Sequence, residues 1–244
     1  MKIRKLIKAG LVFALSMAVA GTVNAEGFLP VDISGNVLRI EIENPYGNRI
    51  FSTITKSGAE LSDSNLFGAY ETDGDILEFI MPDFRDGVDG EYTLYVSGKN
   101  VGSFCYASEE SREKATEALE EDGADFESII SAESEYYYPL VVLGYDMDGF
   151  ENADAKDDVI ALFEESGIFS ADSFNKAVAV VLLDENADVS DVLERVNPVF
   201  EKSAYNDADE NVKKWIVNYI EKSKLDSVEE FDREYAVSNI LYLI

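Results

Sequence analysis

The hydrophobic period of this chain changes once, at Ser108, and the change dictates what can fold on either side of it. Between Phe28 and about Ala107, apolar and polar residues alternate in short runs, the pattern of strands with one face covered. Val37-Leu38-Arg39-Ile40-Glu41-Ile42-Glu43 is one such run, and Asn44-Pro45-Tyr46-Gly47-Asn48 supplies a turn before Ile50-Phe51-Ser52-Thr53-Ile54. Ile76 to Met81, Tyr92 to Val96 and Val101 to Tyr106 follow, the last two joined by the tight connection Ser97-Gly98-Lys99-Asn100. From Ser108 onward the period is helical. Ser108 is placed to cap a helix with an acidic first turn (Glu109, Glu110), an inner face of Ala115, Ala118 and Leu119, and an end at Gly123. Val212, Trp215, Ile216, Tyr219 and Ile220 form one apolar stripe, on which Trp215 is expected to be core. The expected fold is an α+β, two-domain chain: a small antiparallel β-sandwich over 26–107, then an all-α helical bundle over 108–244.

The helical part repeats itself. A shift of 57 residues aligns Ala155, Val159, Leu162, Phe163, Ser166, Ser170 and Phe174 with Val212, Ile216, Tyr219, Ile220, Ser223, Ser227 and Phe231 without a gap. Upstream, Ala124-Asp125-Phe126 and Ile129-Ile130 match Ala187-Asp188-Val189 and Val192-Leu193 at a shift of 63. The two units, about 124–184 and 187–244, are therefore expected to bury the same face, and the extra residues of the first fall around Tyr145 to Asn152. Two copies are fewer than a solenoid needs, which favours a compact bundle.

The first 25 residues decide the compartment. Lys2, Arg4, Lys5 and Lys8 precede an apolar stretch from Ala9 to Ala20 and the small-residue site Val23-Asn24-Ala25, the layout of a secretory signal peptide cleaved before Glu26. That stretch is too short for a membrane anchor, and no later segment approaches the roughly 20 apolar residues a spanning helix requires. An exported protein, secreted or associated with the cell envelope, is the expectation. The formal charge of −29 opposes nucleic acid and anionic lipid. With no histidine, neither a Ser-His-Asp triad nor a Cys-His pair can be built, and the single cysteine, Cys105, allows no intramolecular disulfide.

Among the 49 acidic residues one cluster stands out: Asp146-Met147-Asp148-Gly149-Phe150-Glu151-Asn152-Ala153-Asp154. Closely spaced carboxylates around a turn glycine are how calcium loops gather oxygen ligands, so Asp146, Asp148, Asn152 and Asp154 are candidate metal ligands. The register is incomplete, because Gly144 stands where the first carboxylate belongs and Ala155 where the bidentate one does. The competing reading is a solvated acidic turn that caps the helix starting near Asp154. Tyr136-Tyr137-Tyr138 offers aromatic faces to a ligand, and three adjacent residues cannot all point inward. Cys105, in an alternating strand without a histidine, reads as a small buried apolar residue. No catalytic constellation emerges: paired carboxylates are everywhere, and no S-x-x-K, G-x-S-x-G or phosphate-binding glycine loop occurs.

The strand region, with Val31-Asp32-Ile33-Ser34-Gly35, Asn44-Pro45-Tyr46-Gly47 and Gly90-Glu91-Tyr92-Thr93-Leu94-Tyr95-Val96, resembles the Ig-like modules of bacterial surface proteins. The helical part, with Gly144-Tyr145-Asp146, Val159-Ile160-Ala161-Leu162-Phe163 and Phe174-Asn175-Lys176-Ala177-Val178-Ala179, is similar to the helical repeats beside S-layer-homology domains in surface proteins of Gram-positive anaerobes. The resemblance implies that 26–107 is an all-β Ig-like sandwich. It also implies a non-enzymatic binding or scaffolding role at the envelope or in the extracellular matrix, with cell-wall glycan or a surface protein as partner. A calcium-dependent adhesion or assembly module is the alternative, and a glycan-active enzyme a third.

Overall fold

The computed structural model describes residue 29, strand segments between 31 and 82, and residues 88–96, 99–196, 209–223 and 225–234; residues 1–25, expected to be a signal peptide, lie outside the described residues. Among the described residues, eight strands precede the helices: β1 (Val31–Ser34), β2 (Val37–Glu43), β3 (Ser52–Lys56), β4 (Asn65–Phe67), β5 (Glu71–Asp73), β6 (Ile76–Pro82), β7 (Gly90–Val96) and β8 (Lys99–Tyr106). They pair antiparallel in the orders β1-β2-β6-β5 and β4-β3-β7-β8. In the β7–β8 pair Gly90 faces Tyr106 and Tyr92 faces Phe104, with an irregularity between Leu94 and Tyr95. Among the residues with described side chains, Leu38 and Ile40 from β2, Tyr92 and Leu94 from β7, and Phe104 and Tyr106 from β8 form one buried cluster, with Leu29, Val31, Ile33, Ile42 and Val101 packed against it. Tyr92 stacks on Phe104 at 5.8 Å and meets Tyr106 edge-on at 6.4 Å.

This corrects the expectation of an all-β Ig-like sandwich. Such a domain closes on itself around rows of inward side chains from both sheets. Here β8 is covered on one face by its own sheet's core and on the other by a helix, Tyr137–Val142, of the part that follows. Phe104, Cys105 and Tyr106 are consecutive and all buried, which alternation permits only when both faces of a strand are covered. The strands thus form two small antiparallel sheets tied to the helices, and the larger cores of the molecule are helical.

Eight helices follow: α1 (Glu109–Glu120), α2 (Phe126–Ile130), α3 (Tyr137–Val142), α4 (Met147–Asn152), α5 (Lys156–Ser166), α6 (Ala171–Asp184), α7 (Val189–Val196) and α8 (Glu210–Ile220), with a further helical segment at 228–234. Ser108 caps α1 by accepting from the Ser111 amide at 3.1 Å, and α3 is the helix laid on β8. At the centre lies α6, where every residue from Ser173 to Val181 is buried, as expected of a helix enclosed on all sides. Phe174, Ala177, Val178 and Val181 face one core with Leu140, Phe150, Val159 and Phe163. Ala179 and Val180 face a second with Val192, Leu193, Ile216, Ile220 and Phe231.

Residues related by the repeat occupy like places. Asp125 and Asp188 both cap, accepting from Ser128 at 3.2 Å and from Ser190 at 2.9 Å, and Ile130 and Leu193 are fully buried behind them. Val159 and Phe163 on α5 match Ile216 and Ile220 on α8, all four at 2 % exposure or less. Ser170 and Ser227 cap the helices that present Phe174 and Phe231, both at 0 % exposure. The apolar pattern is the cause, since each unit loses the same hydrocarbon surface to its interior when it folds.

Candidate functional site

The extra residues of the first unit form α4 and the turn before it. Asp146 is the N-cap of α4, its Oδ1 accepting from the Gly149 amide at 2.8 Å. A Cβ on Gly149 would overlap the Asp146 carboxylate and the Val178 side chain, so only glycine lets the first turn of α4 press onto both. Asn175 of α6 fixes the entry to this turn, accepting from the Asp146 amide at 2.7 Å and donating to the Gly144 carbonyl at 2.8 Å. Arg195, in the last turn of α7 in the second unit, completes the arrangement. Its Nη1 donates to Asp146 Oδ1 at 2.9 Å and its Nη2 to Asp148 Oδ2 at 2.9 Å.

The electrostatics follow from burial. The Asp146 side chain is 5 % exposed, and loss of water raises its pKa from the ordinary carboxylate value, against the opposing pull of Arg195 and the Gly149 amide. The guanidinium of Arg195 is held in its charged form by both carboxylates. This is a charge clasp between the units. Lys176 makes a second one in the reverse sense: it is buried on α6 and pairs at 2.6 Å with Asp172 of its own helix and with Asp232 of the segment 228–234.

The four candidate metal ligands are placed as follows. Asp146 and Asp148 converge on Arg195, and Asn152 is exposed and donates to the carbonyl and carboxylate of Asp148 at 2.9 and 3.2 Å. Asp154 is exposed just beyond α4. Residues 147–152 are helical rather than looped, which puts Gly149 inside a helix turn and not at the bend of a calcium loop. The competing reading of a solvated acidic turn also needs correction, because Asp146 is buried and caps α4, while α5 begins at Lys156. Among the described residues no group of three or more acidic or cysteine side chains is arranged to hold a metal ion.

The tyrosines divide. Tyr136 and Tyr137 pack against the larger helical core, and Tyr138 is 36 % exposed, meeting the Tyr137 ring edge-on at 5.5 Å. Burial, with Glu151 adding to it, pushes the Tyr137 hydroxyl up to about 12. Cys105 lies behind α3, and burial followed by the nearby Glu91 raises its thiol to about 12, so it stays protonated and unreactive at neutral pH.

Two features were not visible in the sequence. Arg195 is one; its signal was its place, as a basic residue ending a helix of the second unit, next to an acidic insertion that this unit lacks. Trp215 is the other: it is 43 % exposed on α8, not core, and stacks on Tyr219 with centroids 5.7 Å apart and planes at 20°. No family model, characterised protein or solved structure matches the chain. Among the described residues no helix is long and apolar enough to cross a membrane.

Proposed function

We propose that this is an exported, non-enzymatic binding or scaffolding protein of the bacterial cell envelope or extracellular matrix. The observation that carries the reading is the presentation of large aromatic rings at the surface of a packed helical frame, Tyr138 at 36 % and Trp215 at 43 % exposure. Aromatic residues lose little conformational freedom on binding and offer broad amphipathic faces, which suits recognition. Of the candidate calcium ligands, Asp146 and Asp148 are held by Arg195. Calcium would have to displace that guanidinium before using either carboxylate.

The test is retention of the purified protein on isolated cell walls stripped of protein, and on the surface proteins released from them, with and without calcium. Retention on either fraction, insensitive to chelation, is the expected result. Retention lost on chelation would transfer the function to the acidic insertion, and passage through both fractions would remove the envelope-binding reading.

A further inference from the structure

The exposed side of α8 differs in kind from the rest of the surface. Lys214, Trp215, Asn218 and Tyr219 recur at helical spacing and share one face of α8, and Lys222 follows in the turn just beyond its end. In a chain of 49 acidic and 20 basic residues, a lysine without an acidic partner is unusual. Lys214 and Lys222 make no ion pair among the described residues, whereas the other lysines and arginines with described side chains are engaged. The aromatic pair is held in place from below. Tyr219 hydrogen-bonds Glu234, which Arg233 pairs at 3.2 Å and Ser223 meets at 3.4 Å. Asn218 is anchored by donating to the Lys214 carbonyl at 2.7 Å.

The internal repeat supplies a control. At a shift of 57, Lys214, Trp215, Asn218 and Tyr219 of α8 correspond to Asp157, Asp158, Ala161 and Leu162 on α5, and Lys222 beyond α8 corresponds to Glu165. Both helices keep the same buried pair behind them. The buried pair is thus shared between the units, while Asp157, Asp158 and Glu165 give way to Lys214, Trp215 and Lys222, and Leu162 at the margin of the stripe to Tyr219. Packing does not require that change, because the acidic version serves equally well on α5.

We infer that the outward face of α8 binds the sugar rings of a neutral polysaccharide, with the Trp215–Tyr219 stack as platform. This inference rests on the envelope-binding reading and names its site. A sugar ring has an apolar face of C–H groups and a rim of hydroxyls. The outer face of the stack matches the sugar's C–H face, and the polar side chains Lys214 and Asn218 on the same face of α8, with Lys222 in the turn beyond it, match the rim. The protein's field decides against the competing partners. A net charge of −29 repels a polyanion, and two lysines are too few to reverse it, while a basic partner would be opposed locally by the same two lysines. A neutral polymer meets neither penalty.

Trp215 is the sole tryptophan, so its fluorescence reports on this face alone. The experiment titrates the purified protein with chitopentaose, cellopentaose and mannopentaose, with a glutamate pentapeptide as the acidic-partner probe. It follows Trp215 emission and its quenching by acrylamide, and repeats the wall-retention assay with Trp215→Ala, Tyr219→Ala and the double change K214Q/K222Q. At least one oligosaccharide is expected to protect Trp215 from quenching saturably. Trp215→Ala, checked for fold by circular dichroism, is expected to weaken wall retention about tenfold or more, and K214Q/K222Q less. Protection by the glutamate peptide alone would overturn the sugar assignment. So would protection by none of the probes. Full retention of Trp215→Ala on walls would overturn the site while leaving envelope binding in place, and failure of the unaltered protein to bind walls would remove both.

Discussion

The two helical units bury the same face and expose different ones. Val159 and Phe163 in the first unit, and Ile216 and Ile220 in the second, are interchangeable in role. In front of them the first unit carries Asp157, Asp158 and Glu165, and the second Lys214, Trp215 and Lys222. The first unit also contains α4, whose buried Asp146 is answered by Arg195 from the second. Interior positions in such a pair are constrained by packing density, which tolerates little change of volume. Surface positions are constrained only by what they meet. The outward difference between α5 and α8, behind which the buried pairs match, therefore marks where the two units can do different things.

Several changes would break or sharpen this comparison. The largest effect is expected at the shared phenylalanines. Phe174→Ala and Phe231→Ala should each cost about 3–5 kcal/mol, since both rings are fully buried at matching places of the two units. Chemical denaturation of both variants checks this, and a loss at either one well outside that range would mean that the cores are not equivalent in the way described. Next comes the clasp. Arg195→Met leaves the buried Asp146 carboxylate without its partner and should cost roughly 3 kcal/mol, and pairing it with Asp146→Asn should recover part of that, since the remaining group is then uncharged. Gly149→Ala should cost roughly 2 kcal/mol through the collision with Asp146 and Val178, whereas substitution of the open Gly123 should be felt only through its φ of +86°.

A pH experiment probes the same carboxylate. Because burial raises the pKa of Asp146 in the folded state, the folded protein binds that proton more readily than the unfolded chain does. This group therefore adds stability below its unfolded value of 3.8, and the addition is lost as pH rises through the higher folded value. Asp146→Asn abolishes the titration. The stability difference between the unaltered protein and this variant should grow in favour of the unaltered protein as pH falls from 7 toward 4, read as melting temperatures at matched ionic strength. A difference that shrinks on acidification would show that Arg195 outweighs burial. The smallest effect is expected at Trp215: Trp215→Ala should change stability by no more than about 0.5 kcal/mol, because the ring is already half in water.

What was legible in the sequence followed from periodicity and capping. Ser108 caps as its spacing requires, and of the aligned apolar positions of the repeat Val159, Phe163, Phe174, Ile216, Ile220 and Phe231 fall in the interior. Periodicity misled at Trp215, which is apolar and in register with the stripe but lies at its margin, where a large ring reaches water. It also said nothing about long-range polar partners. The Asp146 amide bonds Asn175, and its carboxylate meets Arg195, at separations of 29 and 49 residues, which no local pattern encodes. Alternation in the strand region showed where strands run but not that α3 would cover β8. That is why an all-β sandwich was expected where two small sheets joined to helices are found.

The sharpest measurement sets the two outward faces against each other directly. Retention on protein-stripped walls is compared for the unaltered protein, for Trp215→Ala on α8 and for Asp158→Ala at the corresponding place on α5. Loss of retention in Trp215→Ala alone is the predicted result. Equal retention in all three, or loss in Asp158→Ala alone, would contradict the assignment of binding to the second unit.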